Sequence, residues 1–123
     1  MITEDYVSFE TAKLLKEKGF DEKCYVNYNF NGETQHFNYH TPSDGVACPT
    51  LQMAMKWLRE VHHCHIIINY TFKADANLSE DYIAYCYSVE NANIYIQYTH
   101  NEWYDIYEQA CKAAIKYCLE NLI

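Results

Sequence analysis

Four consecutive residues with metal-binding side chains, His62, His63, Cys64 and His65, form the most conspicuous chemical cluster in the sequence. Neutral imidazole and thiolate are the donors that zinc and other soft metals prefer. Neighbouring residues on a helix, however, point about 100° apart, and they diverge further where a helix gives way to a strand. At most two of the four side chains can therefore reach one ion. A His near a helix C-terminus also interacts favourably with the helix dipole. The sequence accordingly predicts no metal site and no cofactor.

The six cysteines and the other histidines show no arrangement typical of nucleophilic catalysis. The sequence has no Cys-x-x-Cys pair and no signature of a catalytic thiol. His36 and His40 are four residues apart on a predicted strand, about 13 Å, so they cannot act on one atom. A glycine-rich phosphate loop, an H-E-x-x-H motif and a G-x-S-x-G motif are also missing. We therefore predict no catalytic residue and no enzyme. The alternative is a metal- or thiol-dependent enzyme that uses residues 62–65.

Aromatic residues are the most informative part of the composition, because 13 Tyr, 5 Phe and 2 Trp make up 16% of the 123 residues. Tyr is favoured at recognition surfaces, since its ring buries area while its hydroxyl keeps a hydrogen-bonding group. Tyr residues beside Asn and His on the polar strand faces form a candidate interaction surface, and the alternative is an ordinary solvated face. This candidate surface consists of Tyr25, Asn27, His36, Asn38, Tyr82 and Tyr95.

Charge limits the class of partner. The chain has 17 Asp and Glu against 9 Lys and Arg, a net charge of −8. Residues 74–111 contain seven of these acids and no Lys or Arg. Such a surface repels nucleic acid and favours a basic partner, so we predict contact with another protein and no direct binding of nucleic acid.

The hydropathy pattern predicts no membrane association. No apolar run approaches the roughly 18 residues of a membrane span, and Ile66–Ile68 is only a strand-sized cluster. Glu4 and Asp5 make the start of the chain acidic, which argues against a leader peptide. The cysteines are therefore predicted to be reduced thiols of a cytoplasmic protein.

Three amphipathic helices are predicted. Ser8 is a suitable N-cap for the first helix, and Gly19 takes the left-handed position that ends it. Thr50 caps the second helix, whose apolar arc of roughly 200° is wider than the ~100° stripe of a surface helix. That helix is either sandwiched between elements or buried in a subunit interface, which favours a homodimer. The predicted helices cover residues 9–18, 51–62 and 104–122.

Five strands are predicted, two of them in a hairpin. Asn31-Gly32 is the strongest signal for a two-residue type I′ turn, and centring the turn there pairs Tyr28 with Gln35. Short connections imply an antiparallel sheet with helices on one face. We therefore predict one α+β domain over residues 1–123, with a sheet of about five strands and three helices in the order α-β-β-α-β-β-β-α. The later strands cover residues 65–72, 82–89 and 93–100, and residues 41–49, with both prolines, form a loop.

Three segments carry a resemblance to a known group of proteins. They are SFETAKLLKEKGF at residues 8–20, ACPTLQMAMKWLRE at 47–60 and YEQACKAAIKYCLE at 107–120. With the aromatic hairpin they cover most of the chain in order, and the chain resembles small uncharacterised proteins carried by phages and mobile elements of gut Bacteroidales. The resemblance implies a cytoplasmic, accessory, element-encoded role, and it brings no activity, cofactor or site residue.

The sequence as a whole predicts a phage or mobile-element accessory protein that acts by protein–protein interaction. Its aromatic content and acidic charge favour a basic protein as partner. Two alternatives stay open: the metal- or thiol-dependent enzyme described above, and a self-assembling structural component.

Overall fold

The computed structural model describes residues 1–36, 45–73 and 82–123. The helices in this part of the chain are α1 (Phe9–Glu17), α2 (Leu51–His62) and α3 (Tyr107–Asn121). The strands are β1 (Val26–Tyr28), β2 (Thr34–His36), β3 (Val46–Ala47), β4 (His65–Lys73), β5 (Tyr82–Asn91) and β6 (Ile96–Thr99).

The strands of the described residues form two antiparallel sheets of three strands each, in the orders β2-β1-β3 and β4-β5-β6. The α+β class and the three helices of the prediction are confirmed, whereas the single sheet of about five strands is not. The difference comes from β3, which lies in the segment predicted to be a loop. It pairs with β1 on the side opposite β2, so that the first hairpin completes a small sheet of its own.

Both ends of α1 are set by local signals, as predicted. The Ser8 side chain accepts a hydrogen bond from the Thr11 N–H at 3.2 Å, which satisfies one of the free donors of the first turn. Gly19 adopts a φ of +96°, and the Phe20 N–H donates to the Leu15 carbonyl at 2.9 Å. These are the features of a Schellman C-terminus.

The register predicted for the first hairpin is wrong by one residue. Tyr28 pairs with Thr34 and not with Gln35. The Asn29 side chain accepts hydrogen bonds from the N–H groups of Asn31 and Glu33, at 2.9 and 3.0 Å, and thereby stabilises a loop of three residues. Only Gly32 in that loop has a positive φ, whereas a type I′ turn requires two such residues. The sequence signal was correct for a turn and misleading for its length.

The second and third helices lie close to their predicted positions. Thr50 caps α2 as expected, and its hydroxyl oxygen accepts from the Met53 N–H at 3.1 Å. The third helix starts at residue 107 and not at 104, because Tyr104 exchanges two backbone hydrogen bonds with Tyr85 of β5. The interior is one cluster to which all three helices and both sheets contribute, and its largest fully buried aliphatic side chains are Leu15, Leu58, Ile115, Leu119, Val7 and Val89.

The apolar arc of α2 is only partly used in the fold. Leu51, Ala54 and Leu58 are buried against the core, while Val61 is half exposed and Met53 is 39% exposed. The helix therefore packs on one face and leaves an apolar margin at the surface. The homodimer that this wide arc favoured stays a prediction. None of the helices in the described residues is long and apolar enough to cross a lipid bilayer.

Two glycines with positive φ allow a matched test of the loop geometry. A methyl group on Gly32 would lie 2.8 Å from a ring carbon of Phe9, whereas a methyl group on Gly19 would meet no atom within 4 Å. Gly19→Ala is expected to lower the free energy of unfolding by about 1 kcal/mol for the left-handed backbone alone. Gly32→Ala should lower it by roughly 1 kcal/mol more, because the added methyl overpacks against Phe9. Urea denaturation of both variants checks this, and equal losses would mean that the Phe9 contact is immaterial.

Candidate functional site

The outer end of the β4–β5 hairpin exposes a group of large apolar side chains. Tyr70 is 66% exposed, Phe72 is 71% exposed and Ile83 is 41% exposed. The register places Tyr70 opposite Tyr85 and Phe72 opposite Ile83, so all four side chains lie on the same face of the sheet. The Tyr70 and Phe72 rings are 6.5 Å apart, edge to face. These side chains therefore form one patch.

The start of α3 borders this patch. The ring of Tyr107, the first residue of the helix, packs edge-on against the ring of Tyr85, with 5.9 Å between the centroids. Nearer the middle of the sheet the same face is covered, because Tyr87 contacts Tyr117 further along α3. The hairpin thus extends past the end of the helix that covers the rest of its face. We call Tyr70, Phe72, Ile83, Tyr85 and Tyr107 the aromatic hairpin surface.

Sequence reasoning identified the strand faces but not this surface. Alternation placed Tyr70 and Phe72 on the same face as Ile66 and Ile68, which is confirmed. The two isoleucines are partly buried against the core, whereas the two aromatic residues are exposed. One face of the strand therefore contributes to the core at one end and to the surface at the other. No local pattern shows where a covering helix stops, and this is why the surface was missed.

The residues predicted to form an interaction surface are not gathered at one place. Tyr25 and His36 are exposed neighbours with ring centroids 5.3 Å apart. Tyr82 and Tyr95, by contrast, lie at opposite ends of β5, with Tyr95 in the turn after it. Asn38 lies outside the described residues.

The placement of Asn27 on an exposed face is wrong. Its side chain is fully buried, and Nδ2 donates a hydrogen bond to the Cys24 carbonyl at 3.3 Å. Asn27 is flanked by β2 on one side and by β3 on the other, at Gln35 and Ala47. Since β3 was not predicted, the burial of this side chain was not predicted either.

The His62–His65 segment crosses the junction from α2 to β4, and its side chains diverge there. His62 ends the helix with its ring 4.6 Å from Trp57, and burial lowers its pKa. His63 adopts a left-handed conformation, Cys64 is fully buried, and His65 is exposed at the start of β4. Within the described ranges, no group of three His, Cys, Asp or Glu side chains is placed to hold a metal ion.

All six cysteines are buried free thiols. Burial, with a smaller contribution from Cys48, raises the pKa of Cys24 to about 11. Desolvation also raises the pKa of Cys48, Cys111 and Cys118. An activated nucleophilic thiol requires the opposite shift, because the thiolate is the reactive form. Burial therefore keeps these four thiols protonated and lowers their reactivity.

A second cluster, which the sequence did not reveal, is centred on His100. Its ring stacks on the ring of Tyr87 at 4.7 Å and faces that of Tyr104 at 5.8 Å. The two ring nitrogens lie 3.2 Å from the hydroxyls of Tyr98 and Tyr104, respectively. Burial raises the pKa of Tyr87 and of Tyr104, so the hydroxyl groups of these two residues stay protonated.

This cluster joins the elements beside β5. His100 is the residue directly after β6, and its backbone N–H donates a hydrogen bond to the Tyr87 carbonyl at 3.0 Å. Tyr98 of β6 stacks on Tyr117 of α3, with 4.0 Å between the ring centroids. Both ring nitrogens of His100 are already engaged, and the rings of Tyr87 and Tyr104 lie nearly parallel to its own. The arrangement therefore fixes the last strand and the start of α3 to the sheet, and we assign it no chemistry.

Comparison with known proteins gives no relative for this chain: no family model, no curated protein and no solved structure matches it.

The role of the His100 hydrogen bonds can be measured separately from that of its ring. His100→Phe keeps an aromatic ring next to Tyr87 and Tyr104 but removes both hydrogen bonds to tyrosine hydroxyls. We expect it to lower the free energy of unfolding by about 1–2 kcal/mol. Glu102→Gln is the control, because Glu102 lies 3.6 Å from His100 but is 81% exposed. The control should stay within about 0.5 kcal/mol of the natural chain, and an equal loss in both variants would contradict the assignment.

The thiols should be slow to react in the folded protein. A shift of the Cys24 pKa from 9 to about 11 lowers the thiolate fraction near neutral pH about 100-fold. Titration with a disulfide reagent at pH 8 is expected to label the native chain far more slowly than free cysteine. In denaturant all six thiols should react at once. A single thiol that reacts rapidly in the native chain would contradict this and support the thiol-enzyme alternative.

Proposed function

We propose that the chain is a protein-binding module, an accessory protein that docks another protein on its aromatic hairpin surface. The observation that carries the proposal is the exposure of Tyr70 and Phe72, each about two-thirds uncovered, at the end of a well-paired hairpin. An aromatic ring offers roughly 150–250 Å² of area, so the two rings leave on the order of 250 Å² open to solvent. Contiguous apolar patches of a few hundred Å² on a folded chain are typical of interaction sites.

The aromatic hairpin surface has the residue types that are typical of the centre of a protein–protein interface. Tyr is enriched in interface hot spots, where its ring fills a pocket of the partner and its hydroxyl makes a hydrogen bond. Tyr70 and Tyr107 supply such rings, while Phe72 and Ile83 add purely apolar area. Because these side chains project from strands and from a helix, little ordering is required when a partner binds.

Charge around the surface supports the choice of a basic partner. Asp105 and Glu108 flank Tyr107 at the start of α3, and Glu102 lies just before them. Within residues 82–111 there is no Lys or Arg to offset them. A partner with an apolar patch bordered by Lys or Arg would therefore be steered toward this surface. A phage or mobile-element origin, which the sequence resemblance supports, belongs to the same proposal. So does a cytoplasmic location, which the resemblance and the free cysteines support.

The proposal is tested by crosslinking from defined positions. A photoreactive amino acid in place of Ile83 should crosslink to one distinct protein when the chain is incubated with a lysate of the cells that encode it. The same amino acid in place of Tyr95 is the matched control, because Tyr95 is 94% exposed but lies beyond the opposite end of β5. We expect capture from position 83 and none from position 95.

Substitution provides the quantitative check. Phe72→Ser and Ile83→Ser are each expected to weaken binding of the captured partner by about 30-fold, the effect of losing a hot spot of about 2 kcal/mol. Tyr95→Ser should leave the affinity unchanged, and all three variants should fold, since the replaced side chains are exposed. Equal capture from positions 83 and 95, or crosslinks only between copies of the chain itself, would contradict the proposal.

A further inference from the structure

Strand β4 lies at an open edge of its sheet. Its inner side pairs with β5 along nine consecutive residue pairs, from His65 with Glu90 to Lys73 with Tyr82. Among the strands of residues 1–36, 45–73 and 82–123, none lies on its other side in the order β4-β5-β6. Among the described residues, no backbone group outside the hairpin forms a hydrogen bond with residues 66–72. An edge of this length is a template for another strand.

The hydrogen bonds of β5 show which groups of β4 face outward. Tyr85 exchanges both of its backbone hydrogen bonds with Tyr104, on the side away from β4. In an antiparallel pair, the residue opposite such a position also directs its N–H and C=O away from the pair. Tyr70 lies opposite Tyr85, so its backbone groups point outward. Because this direction alternates along the strand, the same holds for Ile66, Ile68 and Phe72.

Apart from Lys73, the last residue of β4, the edge lacks the features by which sheets usually avoid association. Natural edge strands are protected by proline, by bulges, by short length or by charged side chains. Over the nine residues of β4 there is no proline, and the pairing with β5 continues without a bulge. No Asp or Glu occurs between Glu60 and Asp75, although the whole chain has a net charge of −8. The edge is therefore a strip where a second acidic molecule meets no acid from the strand itself.

We propose that the occupant of this edge is the β4 strand of a second copy of the chain, paired antiparallel about a twofold axis at Asn69. Residue 69 is the midpoint of β4, so this register overlaps the strands completely. In this register the backbone N–H and C=O groups of Ile68 face those of Tyr70 in the other copy. The backbone groups of Ile66 likewise face those of Phe72 in the other copy. The β4-β5-β6 sheets of the two copies thereby join into one sheet of six strands.

The side chains are self-complementary in this register. On the face that carries the aromatic hairpin surface, Phe72 of each copy comes to lie beside Ile66 of the other, and Tyr70 beside Ile68. Pairs of an aromatic and a β-branched side chain are among the most favourable across strands. On the opposite face, the exposed Asn69 side chains of the two copies lie directly opposite each other and can exchange amide hydrogen bonds.

The area available suits a reversible dimer. The four partly exposed rings of Tyr70 and Phe72 in the two copies supply on the order of 500 Å². The strand backbones and the partly exposed Ile67 of β4 add to this. The rings alone thus supply about half of the roughly 1,000–1,200 Å² at the lower end of specific interfaces, so association should depend on concentration.

This inference rests in part on the proposed function, because Tyr70 and Phe72 belong to both surfaces. The two can nevertheless be tested apart. Position 69 lies on the face opposite the aromatic hairpin surface, so its replacement leaves Ile83 and Tyr107 intact for a partner. Conversely, Ile83→Ser changes a strand that does not touch the dimer seam.

The decisive experiment introduces a positive or a negative charge at residue 69, on the twofold axis. Light scattering after size exclusion should show the natural chain shifting from 14.6 kDa to twice that mass as its concentration rises. Asn69→Lys and Asn69→Asp should each stay monomeric, because the axis places like charges opposite each other. An equimolar mixture of the two variants should form the dimer, since opposite charges then meet. A foreign strand at this edge would not produce that pattern.

Hydrogen exchange of the natural chain gives a second readout that needs no variant. The amides of Ile68 and Tyr70 should become protected at concentrations where the dimer forms, while those of Gln97 and Thr99 on β6 should not change. A natural chain that stays monomeric up to about 1 mM would overturn the inference. A dimer that persists in both single variants, or unchanged exchange at Ile68 and Tyr70, would equally overturn it. Partner capture from position 83 can succeed or fail independently of these results.

Discussion

The close approach of α3 to the β4–β5–β6 sheet is the contact on which the rest of the fold depends. The buried face of the helix is made largely of small side chains, and Ala110, Cys111, Ala114 and Cys118 have no exposed area. Small residues let a helix lie close to its neighbours, and the larger Ile115 and Leu119 then fill the space beside them. This packing leaves no room for a substantially larger residue at the small positions.

The same contact decides which parts of the sheet are covered. Tyr117 reaches Tyr87 and Tyr98, and the His100 cluster then ties β6 to β5. At its other end, the helix starts at Tyr107, so no helix in the described part of the chain covers the hairpin beyond Tyr85. The position of α3 therefore explains both why one half of the β4–β5 pair is buried and why the other half is exposed.

How much of this could be predicted from sequence depends on the range of the interactions involved. The caps at Ser8, Gly19 and Thr50 involve contacts no more than five residues apart in sequence, and each was predicted correctly. The first hairpin was predicted with the wrong register, because the Asn29 side chain competes with the turn preference of the Asn-Gly pair. That competition is local, but its outcome depends on geometry that residue types do not specify.

The features that escaped prediction are determined by distant parts of the chain. The two-residue β3 has no periodicity of its own, and it exists because β1 offers an unpaired side. Burial of Asn27 follows from that pairing. Exposure of Phe72 follows from where α3 begins, which is set by the hydrogen bonds between Tyr104 and Tyr85. In β4 and β5, alternation correctly assigned each side chain to a face, whereas in the first hairpin the register error placed Thr34 and His36 on the wrong one. Even where it is correct, alternation carries no information on what covers a face.

The open edge and the aromatic hairpin surface meet at Tyr70 and Phe72, and this sharing has a thermodynamic consequence. In the proposed dimer, a partner that needs both rings would compete with the second copy, so its apparent affinity would fall as the dimer forms. A partner that contacts only Ile83 and Tyr107 meets two equivalent sites on one dimer, and a bivalent partner gains avidity from them. Coupling between the two equilibria is reciprocal, because linkage requires each to change the other by the same factor. The chain would thus adjust its availability to a partner through its own concentration, without any cofactor or modification.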